Sequence, residues 1–500
     1  MVSIFKFIIL SVISTLLLSA CGEETTVNNE TYTVYGIVVD SNGVPVPCAT
    51  VSIISDQINT QTDSYGKFSA QVASGEHQLT VKKDDFTFIN ITITVEPNTT
   101  TNLATLNPTT AYQFKGELLS SLSFEDSNLK ECVTAAANTT YRSYIYTHEL
   151  TRLGCHGPEI NSLKGIQQLT CLKSINLLRT NINDFSPLSE NIGLREVSIT
   201  ETSTSDISTL SEMTSLTFLD LKRNNISDIS ALSGMTGLTY LILEDNKITD
   251  ISALSGMTSL TALDLDNNNV NDINVLSEII GLTQLYLYNN NISDITPLSG
   301  VIDLASLNLN NNNITDVSPL SGMTSLTYLD LDNNNVNDIN VLSGITGLVN
   351  LKLDNNNISD ITPLSGLTSL TFLNLSKNNI SDINPLSGMT SLTSLYLGHN
   401  NITDISPISG ITDLEHLFLN NNNISDINAL SGMFNLDRLN LSYNNISDIS
   451  AVSRKTSFSW LWLGSNIGIS CAELTTLRTT LDSLVGIPPT LTDGVSCTAP

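Results

Sequence analysis

Histidine is the side chain best suited to proton transfer near neutral pH, and only five occur among the 500 residues. They are His77, His148, His156, His399 and His416. The last two lie close in sequence, but their positions within the repeat described below place them roughly 16 Å apart along the strand direction. They cannot readily share a metal ion or a proton.

A metal site near the start of the repeats is the other chemistry that the residue types suggest. The residues concerned are His148, Cys155, His156 and Cys171. Their spacing matches no zinc-binding pattern. We therefore predict no metal site and no cofactor.

Neither nucleophilic catalysis nor phosphate binding has a sequence signature in this chain. No serine or threonine lies in a nucleophile-elbow pattern, and no glycine-rich phosphate loop occurs. Aspartate recurs in 13 copies from Asp184 to Asp448, where it can cap a short helical turn. Because capping explains this column, we predict that the chain is not an enzyme.

A repeat of 22 residues must position most side chains from residue 150 onward. A pair of apolar residues recurs from Ile175/Leu177 to Leu461/Leu463, in 14 copies without insertion or deletion, and Leu153/Cys155 fits the same register. Residues spaced by two point the same way from a strand, here into the core. Since one coil cannot bury its own apolar side chains, stability must come from stacking. The repeats are predicted to span residues 150–466.

An asparagine follows each pair by three positions in 12 copies, from Asn224 to Asn466. Thr180 and Thr202 replace it in the first two copies. A buried asparagine at this position can bond backbone groups of a neighbouring coil. The column is therefore predicted to be structural.

The unit that begins at Leu216 reads L-x-x-L-x-L-x-x-N-x-I-x-D-I-x-x-L and resembles the internalin type of leucine-rich repeat. The resemblance covers more than three hundred residues. It implies a predominantly β fold, a curved solenoid with a parallel sheet and short 3-10 or helical turns. It also implies adhesion or attachment to a protein of another cell.

Residues 31–108 contain short β-prone runs separated by turn signals, which predict a small β-sandwich. The segments D-x-x-G-x-P-x-x-x-A-x-V from Asp40 and T-D-x-x-G-x-F from Thr62 resemble the carboxypeptidase regulatory-like (transthyretin-like) domain. The family name describes a sandwich and implies no peptidase activity.

The first 20 residues read as a signal peptide, with a short apolar stretch from Phe7 to Leu18. Leu18-Ser19-Ala20-Cys21 resembles a bacterial lipobox, which implies that Cys21 is lipidated and that residues 21–30 form a tether. We expect a lipid-anchored envelope protein, at the outer membrane or cell surface. The alternative is an ordinary cleavable signal with a chance cysteine.

Two caps are expected to flank the repeats. Asp126 can cap a helix from Ser127 to about Ala137 within an N-terminal cap at 112–149. At the other end, Ala472 to Leu481 is a helix candidate within a C-terminal cap at 467–500.

Cysteines in an exported chain can form disulfides. The predicted pairs are Cys132 with Cys155 and Cys471 with Cys497. Cys48 and Cys171 are expected to remain small buried or half-buried thiols.

Side chains that flank the inward leucines are predicted to face the concave surface, where rigid rings can anchor a partner. The candidate contacts are Phe218, Tyr240, Tyr286, Tyr328, Phe372, Tyr396, His416, Phe418, Tyr443, Trp460 and Trp462. The densest cluster comprises the last six of these residues, from Tyr396 to Trp462, on the final four strands. The alternative is that Trp460 and Trp462 merely pack against the C-terminal cap.

Carboxylates also recur on this face, at Asp220, Glu244, Asp245, Asp264, Asp266, Asp330, Asp332 and Asp354. Calcium prefers a compact cage of six or more oxygens, so we expect solvated charge here. The net charge of −28 and the lack of basic clusters exclude nucleic acid as a partner. Any membrane contact is expected through the N-terminal lipid alone.

These observations predict a non-enzymatic surface protein that binds a protein of another cell or of the envelope through the concave face. The alternative is a glycan-binding or substrate-capturing accessory lipoprotein.

Overall fold

The computed structural model of the protein describes residues 31–482 and 490–491, apart from 41–44, 57, 64, 84–85, 98–99, 107–117, 140–141, 144–145, 454, 456–457 and 467. The predicted signal peptide and tether, with Cys21, lie outside the described residues, as does Cys497. The chain divides into two compact units, Met1–Gly116 and Glu117–Pro500. Across the described residues, no helix has the length and apolar character needed to cross a bilayer.

The N-terminal unit is the β-sandwich that the sequence predicts. Its strands are β1 (Thr31–Val38), β2 (Thr50–Ile53), β3 (Ile58–Gln61), β4 (Lys67–Ala73), β5 (Gly75–Lys83), β6 (Phe86–Val95) and β7 (Thr101–Leu106). They form two sheets, ordered β4-β1-β7 and β3-β2-β5-β6. Alternate residues of β4 are buried, as expected for a sheet with one face on a core.

The turn that contains Thr62, Asp63 and Gly66 has a direct physical explanation. The hydroxyl of Thr62 donates to the carbonyl of Val46 at 2.6 Å, and the Asp63 carboxylate accepts from the backbone N–H of Lys67. Gly66 has a φ of +71°, and a Cβ atom there would lie 2.4 Å from the Val38 carbonyl oxygen. Glycine is therefore required at this turn.

The second unit is a solenoid whose parallel sheet runs in chain order from β10 to β25. Its strands are β10 (Arg152–His156), β11 (Ser174–Leu178), β12 (Glu196–Thr200), β13 (Phe218–Asp220), β14 (Tyr240–Ile242), β15 (Ala262–Asp264), β16 (Gln284–Tyr286), β17 (Ser306–Asn308), β18 (Tyr328–Asp330), β19 (Asn350–Lys352), β20 (Phe372–Asn374), β21 (Ser394–Tyr396), β22 (His416–Phe418), β23 (Arg438–Asn440), β24 (Trp460–Trp462) and β25 (Thr490–Leu491). Strands β13 and β14 pair Leu219 with Leu241, an offset of 22 residues. The predicted register is confirmed.

The repeated asparagines from Asn224 to Asn466, here called the asparagine column, join neighbouring coils as predicted. The Asn246 amide donates to the carbonyls of Leu221 and Leu243, and its oxygen accepts from the backbone N–H of Ile226. Asn246 thus joins two neighbouring coils through buried bonds. The same pattern continues along the array, for example at Asn334.

The aspartate column has the predicted capping role. Asp228 accepts a hydrogen bond at 2.8 Å from the backbone N–H of Ser230, the first residue of a 3-10 turn that buries Leu232. All 13 aspartates make this bond two residues ahead. A structural role therefore accounts for the residues that most resemble a catalytic series.

Helix α1 (Ser127–Ala137) closes the N-terminal end of the solenoid. The Asp126 side chain accepts from the backbone N–H groups of Asn128 and Leu129, as predicted for its cap. The short strands β8 (Asn138–Thr139) and β9 (Arg142–Ser143) follow. A disulfide joins Cys132 in α1 to Cys155 in β10, which confirms this pair.

Helix α2 (Cys471–Asp482) follows the last coil, within a residue of the predicted bounds at each end. Cys471 is disulfide-bonded, while its predicted partner Cys497 lies outside the described residues. Cys48 and Cys171 are also disulfide-bonded, so the prediction of thiols at these positions is wrong. Disulfide formation depends on the approach of two sulfur atoms in space, which spacing along the chain does not define.

Candidate binding face

The concave face of the solenoid consists of the side chains that flank each inward leucine. In β13, Leu219 is fully buried, whereas Phe218 beside it is half-buried and reaches solvent. Tyr286 and Phe418 are likewise half-buried and do not belong to the core. The predicted assignment of inward and outward residues is correct.

Five rings near the C-terminal end form a continuous series of contacts, which we call the aromatic ladder. Its members are Phe372, Tyr396, Phe418, Trp462 and Trp460. Successive ring centroids are 5.2 Å, 4.8 Å, 5.9 Å and 5.5 Å apart. These distances are typical of favourable aromatic pairs.

Parallel pairing of the strands positions the ladder. Tyr396 pairs with Phe418 across β21 and β22, and the next contact passes over Asn440 of β23 to reach Trp462. Trp460 pairs with Thr490 of β25 yet retains 39% of its surface exposed. Part of the Trp460 ring is therefore open to solvent beside the last strand.

His416 lies on β22 two residues before Phe418 and adds polar groups beside the ladder. Its Nδ1 is 3.2 Å from the hydroxyl of Ser394, and its Nε2 is 3.9 Å from Asp437. His399, in contrast, lies on a turn with its ring 3.2 Å from the Asn421 amide. The two histidines therefore have different hydrogen-bond neighbours.

Tyr443 does not belong to the ladder, which corrects its predicted place in the cluster. Its φ is +57°, in the left-handed region, and the residue is 60% exposed. The chain has left β23 by this point and turns before Asn444. Tyr443 therefore lies in the turn that follows β23 and not in the strand itself.

The remaining predicted aromatics lie apart from the ladder. Phe218 and Tyr240 form a separate pair with centroids 6.4 Å apart. The Tyr286 hydroxyl donates to Gln284 in its own strand. The Tyr328 hydroxyl donates to Asp330, so this ring belongs to a polar group at mid-sheet.

Several acidic residues of this face are more buried than solvated charge would be, so that prediction is wrong for them. Asp220, Asp330 and Asp332 are 8%, 2% and 9% exposed. Neighbouring coils cover them because successive strands lie only about 4.8 Å apart. Lys352 compensates Asp330 by donating to its carboxylate at 3.0 Å and to the Tyr328 hydroxyl at 3.0 Å.

Burial governs the protonation of three of these carboxyl groups. It raises the pKa of Asp264 to about 6. Burial, with the adjacent charge of Asp264, raises the pKa of Asp266 to about 7. Burial and the neighbouring Asp330 raise the pKa of Asp332 to about 7. Within the described parts of the chain, no three His, Cys, Asp or Glu residues are grouped to hold a metal ion.

The raised pKa of Asp332 predicts a pH-dependent stability. Between pH 4 and 7 the folded chain holds a proton on Asp332 that the unfolded chain has released, so ionisation costs stability as the pH rises. We expect Asp332→Asn to become progressively more stable relative to the parent protein across this window, by on the order of 1 kcal/mol per pH unit. Urea unfolding at pH 4.5, 6 and 7.5 measures the difference.

The exposed Asp303 provides a charge-matched control for this experiment. Asp303→Asn should differ from the parent protein by the same small amount at all three pH values. A difference for Asp332→Asn that stays constant with pH would contradict the assigned burial of its carboxyl group.

The fold and the face described above define a leucine-rich-repeat protein, and sequence families agree. Residues 302–344 and 390–432 match the family described as Leucine Rich repeats (2 copies). Further matches to leucine-rich-repeat families cover 192–270, 346–402 and 432–453. Residues 33–107 match the Carboxypeptidase regulatory-like domain. No curated protein sequence is significantly similar to this chain.

Comparison with solved structures identifies the particular family of leucine-rich-repeat proteins. An internalin from Listeria monocytogenes is 34% identical, with a TM-score of 0.57, over 69% of this chain and 96% of that one. The chain therefore belongs to the internalin family of leucine-rich-repeat proteins.

Two further structures share the fold. The functional domain of a second Listeria monocytogenes internalin, whose structure includes a cysteine ladder, is 24% identical with a TM-score of 0.62, over 73% of this chain and 80% of that one. A Leptospira interrogans leucine-rich-repeat protein is 23% identical with a TM-score of 0.63, over 71% of this chain and 90% of that one.

Proposed function

We propose that this chain is a non-enzymatic surface protein that holds a protein partner on its concave face, with the aromatic ladder as the principal contact. The observation that carries the proposal is a run of five touching rings on a solvent-facing sheet. The inward leucines and the asparagine column already account for the stability of each coil. The fold does not require large rings on the outer side of the strands.

The chemistry of the ladder suits a protein contact. Rigid rings bury much apolar area and lose little conformational entropy on binding. His416 and Arg438, which flank the ladder on β22 and β23, supply hydrogen-bond donors at its border. An apolar centre with a polar border is the usual anatomy of a protein interface.

We further propose that the chain is anchored by a lipid on Cys21 and displayed at the cell envelope, with the partner on another cell or in the same envelope. The lipobox-like sequence before Cys21 and the family membership support this placement. Metabolic labelling with an alkyne fatty acid, comparing the parent protein with Cys21→Ala, tests it. Loss of the label in the variant is expected, and an unlabelled parent protein would exclude the anchor.

A search for the partner requires an array of purified surface proteins and a glycan array, both probed with the mature protein. Against the protein partner so identified, Phe418→Ala with Trp460→Ala should weaken binding about 100-fold, or ~3 kcal/mol, because hot-spot rings contribute about 1–2 kcal/mol or more each. Surface plasmon resonance measures the change.

Phe434→Ala is the matched control, because this ring is 74% exposed and lies in the turn before β23, outside the ladder. It should bind like the parent protein. Unchanged binding by the double variant would rule out the ladder as the contact. Binding confined to the glycan array would instead support the alternative of a glycan-capturing accessory protein, since stacked rings can also serve as a platform for a small ligand.

A further inference from the structure

A second feature of the concave face lies at the opposite end from the ladder. The strands β11 to β14 carry a groove of about 550 Å³. Its lining includes the short polar side chains of Ser174, Asn176 and Ser198 and the rings of Phe218 and Tyr240. Small residues beside two adjacent rings leave room for a long side chain to lie against the aromatic faces.

Asp220 supplies the charge in this groove. It lines the groove although it is only 8% exposed, and burial raises the pKa of its carboxyl group despite a hydrogen bond from the Lys222 backbone and the nearby Lys222 charge. The Ser198 hydroxyl is 3.4 Å away, at the long limit of a hydrogen bond. No ion pair to Asp220 occurs among the residues described.

Glu196 adds a second carboxylate to the lining. Its nearest cation is Arg152 at 3.9 Å, and both side chains are largely exposed, so this pair contributes little. Two carboxylates and two rings therefore meet in one groove whose lining contains no lysine or arginine. Both ring faces and carboxylates attract cations.

We infer that this groove receives an arginine side chain of the protein partner, with the guanidinium on Asp220 and its plane against Phe218 and Tyr240. Arginine fits better than lysine because its planar head stacks on rings and bonds a carboxylate through two N–H groups. The inference rests on the proposed function and adds a second contact to it.

The position of the groove constrains the partner. Seven strand spacings separate β13 from β20, which is on the order of 34 Å along the sheet. A partner that reaches both sites must therefore present an apolar patch and an arginine side chain about this distance apart. The net charge of −28 also favours a partner of opposite charge.

The groove can be tested without the partner, by using N-acetyl-arginine methylamide as the probe and N-acetyl-norleucine methylamide as its uncharged analogue. NMR titration of the mature protein should show millimolar binding of the arginine probe, with shifts centred on β11 to β14. The norleucine analogue should bind at least 5-fold more weakly. Equal binding of both probes would overturn the inference, and so would absence of binding.

Variants assign the contact to named residues. Asp220→Asn, with its fold checked by circular dichroism, should weaken the arginine probe at least 5-fold, whereas Asp303→Asn should not. Tyr240→Ala, at an exposed ring, should weaken it about 3-fold and provides a second measurement if Asp220→Asn is unstable. Parent-like binding by both groove variants would refute the site.

The ladder variant Phe418→Ala with Trp460→Ala separates this inference from the proposed function. It should bind the probe normally, since the two sites lie far apart. If the ladder variant loses partner binding but still binds the probe, the result supports both the ladder as the partner contact and the groove as a separate arginine site. If the probe still binds to every groove variant, the arginine site is refuted, but the proposed function of the aromatic ladder is not.

Discussion

Replacing Asn334 by alanine is expected to lower the free energy of unfolding by about 3 kcal/mol, because four buried hydrogen bonds are lost at once, one of them to the carbonyl of Asp332 at 3.1 Å. The Asn334 oxygen accepts from the backbone N–H of Ile314 at 3.0 Å. Its amide donates to the carbonyls of Leu309 and Leu331 at 2.9 Å and 3.1 Å. The residue is 7% exposed, so water cannot readily replace these bonds.

The neighbouring Asn335 is a matched control, because its side chain is exposed and its backbone N–H, not its side chain, donates to the carbonyl of Ile314. Asn335→Ala should change stability by less than about 0.5 kcal/mol. Urea unfolding followed by tryptophan fluorescence and circular dichroism measures both variants. Equal stability of the two variants would show that the asparagine column does not join the coils.

The hydrogen bonds of Asn334 also predict which part of the repeat array is weakened when this residue is replaced. The carbonyl of Leu309 accepts from Asn312 in its own coil and from Asn334 in the next. The bonds therefore form a chain along the solenoid, in which each coil depends on its neighbours. We expect Asn334→Ala to weaken the coils around it most, which hydrogen exchange resolved by peptide would reveal as faster exchange in β17 to β19.

Sequence periodicity predicted those parts of the structure that repeat with the same period. The leucine register, the asparagine bonds and the 13 aspartate caps each involve residues offset by a fixed number of positions. The sequence of one coil is enough to predict such a contact, and the same contact then recurs in each stacked coil. The members of the aromatic ladder were predictable for the same reason, since each flanks an inward leucine.

Contacts between different columns were not predictable in this way. Phe372 of β20 contacts Tyr396 of β21 diagonally, and Trp460 stacks on Trp462 within β24. Tyr443 was misplaced because the backbone enters a left-handed turn two residues after Leu441. Its place in the sequence period did not reveal the change in side-chain direction.

Burial of acidic side chains depends on their neighbours in adjacent coils, which is why the solvated-charge prediction failed. Asp330 carries a salt bridge to Lys352 of the next strand, and its side chain is 3% exposed. The sequence period places these residues on adjacent strands. It does not indicate how completely the surrounding side chains exclude water from the pair.

Lys352→Met should therefore destabilise the protein by about 3 kcal/mol, since removal of one partner leaves a buried carboxylate without its counter-charge. Although burial opposes the charge of Lys352, hydrogen bonds to Tyr328 and Asp330 raise the pKa of its ammonium group. The lysine is therefore fully charged at neutral pH in the parent protein. Urea unfolding at pH 7.5 measures the loss.

The double variant Asp330→Asn with Lys352→Met distinguishes loss of charge balance from loss of packing. Removal of both charges eliminates the unpaired carboxylate, so the double variant should regain about 2 kcal/mol relative to Lys352→Met alone. If the double variant were as unstable as the single one, the lysine would act through its aliphatic chain, and the electrostatic account of this face would be wrong.

The charge on Asp330 is balanced within the fold by Lys352, whereas Asp220 has no ion pair among the described residues. That difference is the reason for assigning the incoming arginine to Asp220 and leaving Asp330 with a structural role.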